Sequence, residues 1–500
     1  MKLQEILKSF PELRVLQGDT NAEISYVQQD SRKCKNNDLF ILSSFCPPKD
    51  KEAFLKNAQA NGAKFCIITN EDISLVPKDL GVILALTRPE LYQGKIASLL
   101  LGEPSKKLKV IGVTGTNGKT SITQILFQLA NLLGLPSGLI GTIHIKIRSE
   151  IREAVNTTPD ASELQLLLAE MVEKKLEWVF MEASSHGLKL GRTEGISFDG
   201  CIFTNLTQDH LDFHKTFEDY RLSKFHLFEL LEDSPKKNRF AVLSKNAEGF
   251  SEMFDLIQKA VFHFSRTCLG NLNEIFYSDV RLSILQTQFK ISIKGKSETV
   301  TSPLLGDYNV ENLCLAITMI LQFGFSLEKI LELVPKLEPV PGRFQVIPSP
   351  DQEKIAVVDY AHTPDALDSI LKTIQNLKPK MLICVVGCGG DRDKTKRPIM
   401  ASIAEKYSDL LILTSDNPRT EDPEAILDDM ESGIPKNSKP HLRIADRRQA
   451  IQTGVEKLAP GGVLLVAGKG HEDYQIIGKE KFSFSDVKEI QNSFSMQRKA

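Results

Sequence analysis

The chain of 500 residues is long enough for about three domains, with cores that need no disulfide or metal staple. Its 62 Lys plus Arg against 64 Asp plus Glu leave a formal charge of −2, which excludes a general electrostatic grip on nucleic acid. With 41% hydrophobic and 25% charged residues it is a folding composition, not a disordered one.

In chain order, the opening Met1-Lys2-Leu3-Gln4-Glu5 lacks the apolar stretch of a secretory signal, and no later run approaches the ~20 apolar residues of a membrane span. No membrane insertion and a cytoplasmic location are expected. Residues 1–104 alternate short apolar runs at 39–42, 65–68 and 82–85 with helix-like stretches such as 51–61, which predicts a small α/β domain. It ends at the turn-rich Gly102-Glu103-Pro104-Ser105. A strand over 108–113, a glycine loop and a helix with Ile122, Ile125, Leu126, Leu129, Leu132 and Leu133 on one face then form a βα unit. Further strand-like runs at 177–183 and 199–204, between helical patterns, argue for a parallel sheet with helices on both faces, in a second domain over 105–340. The stiff segment from Val334 to Gly342, with prolines at 335, 339 and 341, marks the next boundary. Strands at 354–359, 380–386, 409–414 and 462–467 predict a doubly wound third domain over 341–500. The eight cysteines are scattered; the closest pair, Cys384 and Cys388, fits neither a redox nor a zinc spacing, so reduced buried thiols are expected.

The strongest local signal is Thr114-Gly115-Thr116-Asn117-Gly118-Lys119-Thr120-Ser121, between that strand and that helix. Glycines let backbone N–H groups approach phosphate oxygens, the helix N-terminus adds a positive dipole, Lys119 adds a cation, and the Thr120 hydroxyl can ligate Mg²⁺. The spacing departs from GxxxxGK[ST], because Val113 stands five before Gly118. A tight βα turn would explain the glycines but not Lys-Thr directly after them. The fold class is therefore α/β in three domains, with a central P-loop-type mononucleotide-binding parallel sheet and a C-terminal Rossmann-like doubly wound sheet.

Glu182-Ala183-Ser184-Ser185-His186-Gly187 ends the strand over 177–183, so Glu182 is positioned to hold a phosphate-bridging magnesium, although alone it would read as a solvated loop residue. After the next strand, Thr204 to His214 brings Asn205, Asp209 and His210, and His210 could be a second metal ligand. The helix over 220–228 carries Lys224, which by itself reads as a surface charge. In the third domain three polar loops leave one sheet edge: Gly387 to Arg397, Asp416-Asn417-Pro418-Arg419, and Gly468-Lys469-Gly470-His471-Glu472. Their Arg, Asn, Asp and Glu side chains suit a zwitterion, though the first could equally be a solvated basic loop.

Together these segments closely resemble the Mur ligases, the ATP-dependent amide-forming enzymes of peptidoglycan synthesis. The resemblance runs nearly end to end. It is carried by Asp30-Ser31-Arg32, the loop 114–120, Asn156-Thr157-Thr158-Pro159, residues 182–187, 204–206 and 209–212, Gly306 to Asn312, Pro341-Gly342-Arg343, Asp359 to Pro364, and residues 416–419. It implies addition of meso-diaminopimelate to the D-glutamyl γ-carboxylate of UDP-N-acetylmuramoyl-L-alanyl-D-glutamate through an acyl phosphate, with ATP as co-substrate and two Mg²⁺ ions. It implies that Gly115, Thr116, Asn117, Gly118, Lys119, Thr120, Ser121, Asn309, Arg343 and Asp359 bind ATP. Catalysis would fall to Lys119, Glu182, His210 and Lys224, with Thr120, Glu182, His210 and a carbamylated Lys224 around metal. Ser31, Thr157, Thr158, Ser184 and Arg192 would hold the UDP-muramoyl dipeptide, and Arg392, Asp416, Asn417, Arg419, Gly468 and Glu472 the diaminopimelate. Arg419 would set specificity, because lysine-adding relatives lack that arginine. One departure stands at Asn246-Ala247-Glu248-Gly249, where relatives commonly carry Asn-x-Asp-Asp. A monomer is expected. Folylpolyglutamate synthetase shares the ATP core but not the first domain or Asp-Asn-Pro-Arg; a nucleotide-driven switch without catalysis is the reading from another class.

Overall fold

Helices and sheets alternate along the chain in three successive units. The structure is a computed structural model that describes residues 1–245, 261–265 (backbone only), 274–293, 295–435 and 437–497. Residues 246–249 and Cys268 lie outside the described residues, and the seven described cysteines are free, six of them buried.

The first unit is a five-stranded sheet in the order Arg14–Gln17, Gly81–Leu84, Ala63–Ile68, Asp38–Ile41, Val27–Gln28, parallel except for its first strand. It is seated on the second unit: Tyr26 donates its hydroxyl to the Ser162 carbonyl at 2.6 Å, and Gln93 Nε2 donates to Ser162 Oγ at 3.1 Å. Gly94 permits this approach, since a Cβ there would lie 2.0 Å from the Glu194 carbonyl oxygen.

The second unit is an eleven-stranded sheet. Its parallel centre runs Phe240–Ser244, Gly200–Phe203, Lys109–Thr114, Trp178–Glu182, Ser137–Ile140, with Lys109 paired to Trp178 and Gly200 to Ile111. Helices Lys119–Leu132 and Asp307–Gln322 cover one face through Ile122, Leu126, Leu313 and Ile317. Ala161–Glu173 and Phe217–Glu232 cover the other through Leu164, Leu168, Leu227 and Phe228. Both edges depart from an all-parallel sheet: Glu274–Leu282, Thr287–Ile293 and Lys296–Ser302 pair antiparallel at one, His144–Ile147 and Glu150–Glu153 at the other. The alternation of Thr287, Phe289 and Ile291 inward is the pattern of a strand buried on one side only.

The third unit orders Gln345–Pro348, Ile355–Asp359, Val463–Ala467, Leu382–Val386, Leu410–Leu413, His441–Arg443, antiparallel only at its first strand. Val463–Ala467, last in sequence among these strands, returns between the second and third. The carboxyl ends of Val463–Ala467, Leu382–Val386 and Leu410–Leu413 are thereby neighbours, at the place where open α/β sheets bind ligands. No described helix is long and apolar enough to cross a membrane.

Candidate active site

The loop after Lys109–Thr114 is built around two glycines in conformations that side chains resist. Gly115 has φ +145° and Gly118 φ +87°; a Cβ would lie 1.9 Å from Thr204 Oγ1 in the first case and 2.5 Å from Asn312 Oδ1 in the second. Gly118 immediately precedes the helix Lys119–Leu132, so the open N–H groups of its first turn sit at the loop. The loop is anchored from outside: Asn117 N–H donates to Asn205 Oδ1 at 2.8 Å, and Thr116 Oγ1 lies 3.0 Å from both the Thr207 carbonyl and the Tyr220 hydroxyl. Lys119 Nζ donates to the carbonyls of Gly115 (2.9 Å) and Thr116 (2.7 Å). Burial pushes its pKa down, Glu182 and Asp209 oppose, and the net shift is downward.

Glu182, 1% exposed at the end of the central strand, accepts from Thr120 Oγ1 (2.9 Å), Thr142 N–H (2.8 Å) and Thr142 Oγ1 (3.0 Å). Gly141 keeps the space for it, since a Cβ there would stand 2.4 Å from Glu182 Oε1. Thr142 belongs to no motif; only the fold reveals it. No trio of His, Cys, Asp and Glu among the described residues could hold a metal alone. The oxygens of Thr120 and Glu182 therefore suit a hard cation that keeps water and phosphate ligands, which is the habit of Mg²⁺.

His210 makes no hydrogen bond to Glu182 among the described residues. Its φ is +55°, its Nε2 is 3.4 Å from Asp209 Oδ2, and its ring centroid is 4.7 Å from that of His186. Burial pushes its pKa down against the pull of Asp209. Burial alone would raise the Asp209 carboxyl, but His210, His362 and Lys396 bring it to about 2. His362 comes from the third unit, 3.9 Å from Asp209.

Lys224 is 1% exposed, which overturns its reading as a surface charge. It lies on the buried stripe of its helix with Tyr220, Ser223, Leu227, Phe228 and Leu231, so helical spacing already carried the signal. Its Nζ donates to the Gly115 carbonyl at 2.7 Å and sits 4.4 Å from the Tyr220 ring centroid. Burial, then Lys119, push its pKa well below the ordinary lysine value.

Thr157, Thr158, Ser184 and Arg192 form a connected chain leading to Glu182. Thr157 Oγ1 is 3.0 Å from Thr142 Oγ1, Thr158 Oγ1 donates to the Glu182 carbonyl at 2.9 Å and lies 3.1 Å from Ser184 Oγ, and Arg192 Nη1 donates to the Thr158 carbonyl at 2.9 Å. Arg192 also lines a cavity of about 250 Å³ shared with Phe40, Phe45 and Phe54 of the first unit. Ser31 does not line it; it is buried, with Asn57 Nδ2 donating to its Oγ at 3.2 Å.

Asn309 and Arg343 line a second cavity, of about 770 Å³, with Leu305, Pro341 and Phe344. Arg343 reaches from the third unit to Thr120 Oγ1 at 3.4 Å, and Asn117 Nδ2 donates to Asp365 at 3.2 Å. Asp359 holds this junction, accepting from Phe344 N–H at 2.7 Å and Ala361 N–H at 2.8 Å. The three loops at the neighbouring strand ends also meet. Asn417 Nδ2 donates to Glu472 Oε2 at 2.9 Å, and a Cβ on Gly468 would lie 2.6 Å from Asp416 Oδ2. Arg419, at φ +51°, donates Nη1 to the Gly390 carbonyl at 2.7 Å, and Gly389 abuts both Arg419 Nη1 and the Arg392 stem. Burial and Asp416 raise the Glu472 pKa, and Lys469 opposes them.

Residues 113–320 match the Mur ligase middle domain, and residues 342–470 the Mur ligase glutamate ligase domain. The UDP-N-acetylmuramoyl-L-alanyl-D-glutamate–2,6-diaminopimelate ligase of Leptospira interrogans is 48% identical, covering 99% of this chain and 99% of its own. A solved structure of an enzyme of that name is 34% identical, with a TM-score of 0.70 over 100% of this chain and 99% of its own. The Mycobacterium tuberculosis folylpolyglutamate synthase shares the fold alone: 15% identity, TM-score 0.62, 82% of this chain and 95% of its own. Full-length identity at this level, with both family domains matched in order, makes this chain a member of the Mur ligase family.

Proposed function

We propose that this protein joins meso-diaminopimelate to the D-glutamyl γ-carboxylate of UDP-N-acetylmuramoyl-L-alanyl-D-glutamate at the expense of ATP, building the peptidoglycan precursor on which cell shape and division depend. The observation that carries the reading is the contact of Arg343 with Thr120, which brings the phosphate loop of the second unit to the edge of the third unit's ligand loops.

A carboxylate does not react with an amine usefully, because oxide would have to leave. In the proposed reaction a γ-carboxylate oxygen attacks the γ-phosphorus of ATP, the bond to the bridging oxygen breaks, and ADP departs, leaving an acyl phosphate. Lys119 and the N–H groups of the loop hold the transferring oxygens, and Arg343 approaches from the facing unit. Mg²⁺, two ions of it, would neutralise phosphate charge when bound beside Thr120, Glu182 and His210. Lys224 suits carbamylation: burial and Lys119 push its pKa down, which favours the neutral amine whose nitrogen attacks CO₂ and loses a proton, placing an anionic carbamate where the amine stood. Thr157, Thr158, Ser184 and Arg192 lead from the cavity at the first unit to Glu182, as a route for the UDP-muramoyl dipeptide would. Diaminopimelate is held by Arg392, Asp416, Asn417, Arg419, Gly468 and Glu472, and its free amine attacks the acyl carbon; the tetrahedral intermediate expels phosphate. The proposal takes the enzyme to act as a monomer in the cytoplasm, where its nucleotide substrates are found.

The test is phosphate release from ATP with the UDP-muramoyl dipeptide and either diaminopimelate or L-lysine. Release that requires the dipeptide and diaminopimelate supports the reading; release without either favours a nucleotide switch, and preference for L-lysine overturns the amino-acid assignment.

A further inference from the structure

Lys469 is fully buried in the loop after Val463–Ala467, yet no step of the proposed reaction uses it. Its Nζ donates to Asn417 Oδ1 at 2.9 Å and to Glu472 Oε2 at 3.1 Å, and stands 4.0 Å from Asp416 Oδ1. Asn417 Oδ1 also accepts from Ile476 N–H at 2.9 Å, so both its acceptor directions are taken and its amide nitrogen is turned toward Glu472. One ammonium thus fixes side chains on two loops that leave different strands.

We propose that Lys469 is a positioning residue that clamps Asn417 and Glu472 into a single receptor for the ammonium end of the amino-acid substrate. This rests on the reading of these loops as the diaminopimelate site. The logic is electrostatic. Glu472 is faced by Asp416, Lys469, Arg447, Tyr360 and Tyr474. Arg447 is occupied by Asp486, at 2.7 and 2.8 Å. Lys469 is therefore the cation that offsets the two neighbouring carboxyl groups, Asp416 and Glu472, at the place proposed for a substrate ammonium. Without it, Glu472 holds its proton to higher pH and Asn417 loses one of the bonds that orient it.

The experiment compares wild type with Lys469→Met and Lys469→Gln, measuring KM for diaminopimelate and for ATP from pH 6 to 9, with thermal unfolding as the check on folding. The expected result is a rise of about tenfold or more in KM for diaminopimelate, from loss of a charged buried hydrogen bond, with KM for ATP within about twofold. That amino-acid KM should fall again as pH rises and Glu472 ionises, a pH dependence that a purely structural role would not produce. A folded Met variant whose KM for diaminopimelate stays within about twofold overturns the proposal, as does an equal rise for ATP. Should the Met variant not fold, the Gln variant is judged by the same two thresholds. Failure of the functional reading looks different: wild type itself then shows no dependence on diaminopimelate.

Discussion

Arg419 makes the sharpest statement available to a single side chain. Its Nη1 is tied to the Gly390 carbonyl, and no other guanidinium nitrogen has a hydrogen-bond partner among the described residues, leaving a fork for a carboxylate. Arg419→Lys keeps charge but loses the fork, so KM for diaminopimelate should rise by about tenfold or more, roughly 1.5–3 kcal/mol for a charge-assisted pair, with KM for ATP unchanged. Steady-state kinetics with each substrate varied would reveal the split; parallel changes reject the assignment. Lys224 gives a second test. Burial and Lys119 depress its pKa, which favours the neutral amine, and falling pH works against that form. Activity should therefore drop in CO₂-free buffer, return with bicarbonate, and become harder to restore at lower pH, whereas Lys224→Arg should stay inactive throughout. Glu182 and Lys119 were legible because a strand end and a glycine loop flank them. Lys224 was legible only to a reader who asked which helix face it shares, and Thr142 not at all, since its two bonds to Glu182 come from a neighbouring strand's far end.

At the scale of elements, the strand-loop-helix from Lys109 to Leu132 builds the proposed phosphate site out of backbone shape. Gly118→Ala places a methyl where φ is +87° and Asn312 Oδ1 would be 2.5 Å away. The backbone strain alone costs about 1–2 kcal/mol, and relief requires the loop to shift. KM for ATP should therefore rise while KM for diaminopimelate stays flat, the reverse of Arg419→Lys; nucleotide binding by calorimetry would report it directly. The buried strands Leu382–Val386 and Val463–Ala467 were readable as unbroken apolar runs, because both of their faces are covered. The antiparallel edges of the central sheet were not anticipated. Their alternation was present in the sequence, but an edge strand gains its partner through a short turn rather than a crossover helix, so the rhythm of strand and helix that identifies the parallel centre says nothing of it.

For the whole molecule the question is how the proposed phosphate and amino-acid sites are coupled, and the end of the proline-rich segment gives an answer. Gly342 has φ +67°, and a Cβ there would fall 2.0 Å from His471 N and 2.3 Å from Gly470 C. Next along the chain is Arg343, which reaches Thr120; next to Gly470 is Lys469, which clamps Asn417 and Glu472. The backbone of the linker therefore rests directly on the loop that carries Lys469 and the proposed amino-acid receptor. Neither side can retreat cheaply: Arg343 stacks on Tyr360 with its guanidinium 4.6 Å from the ring centroid, and Phe344 N–H is held by Asp359. Gly342→Ala should force the two backbones apart, moving Arg343 away from the phosphates and the Lys469 loop away from its partners together. The expected signature is a rise in KM for ATP and for diaminopimelate in the same variant, with a fall in kcat, where Gly118→Ala and Arg419→Lys each move one KM only. Thermal unfolding should show the cost of the strained position as well, about 1–2 kcal/mol before any relaxation. If Gly342→Ala raises only one of the two constants, the linker does not join the sites, and their coupling runs through the Asp209–His362 and Asn117–Asp365 contacts instead.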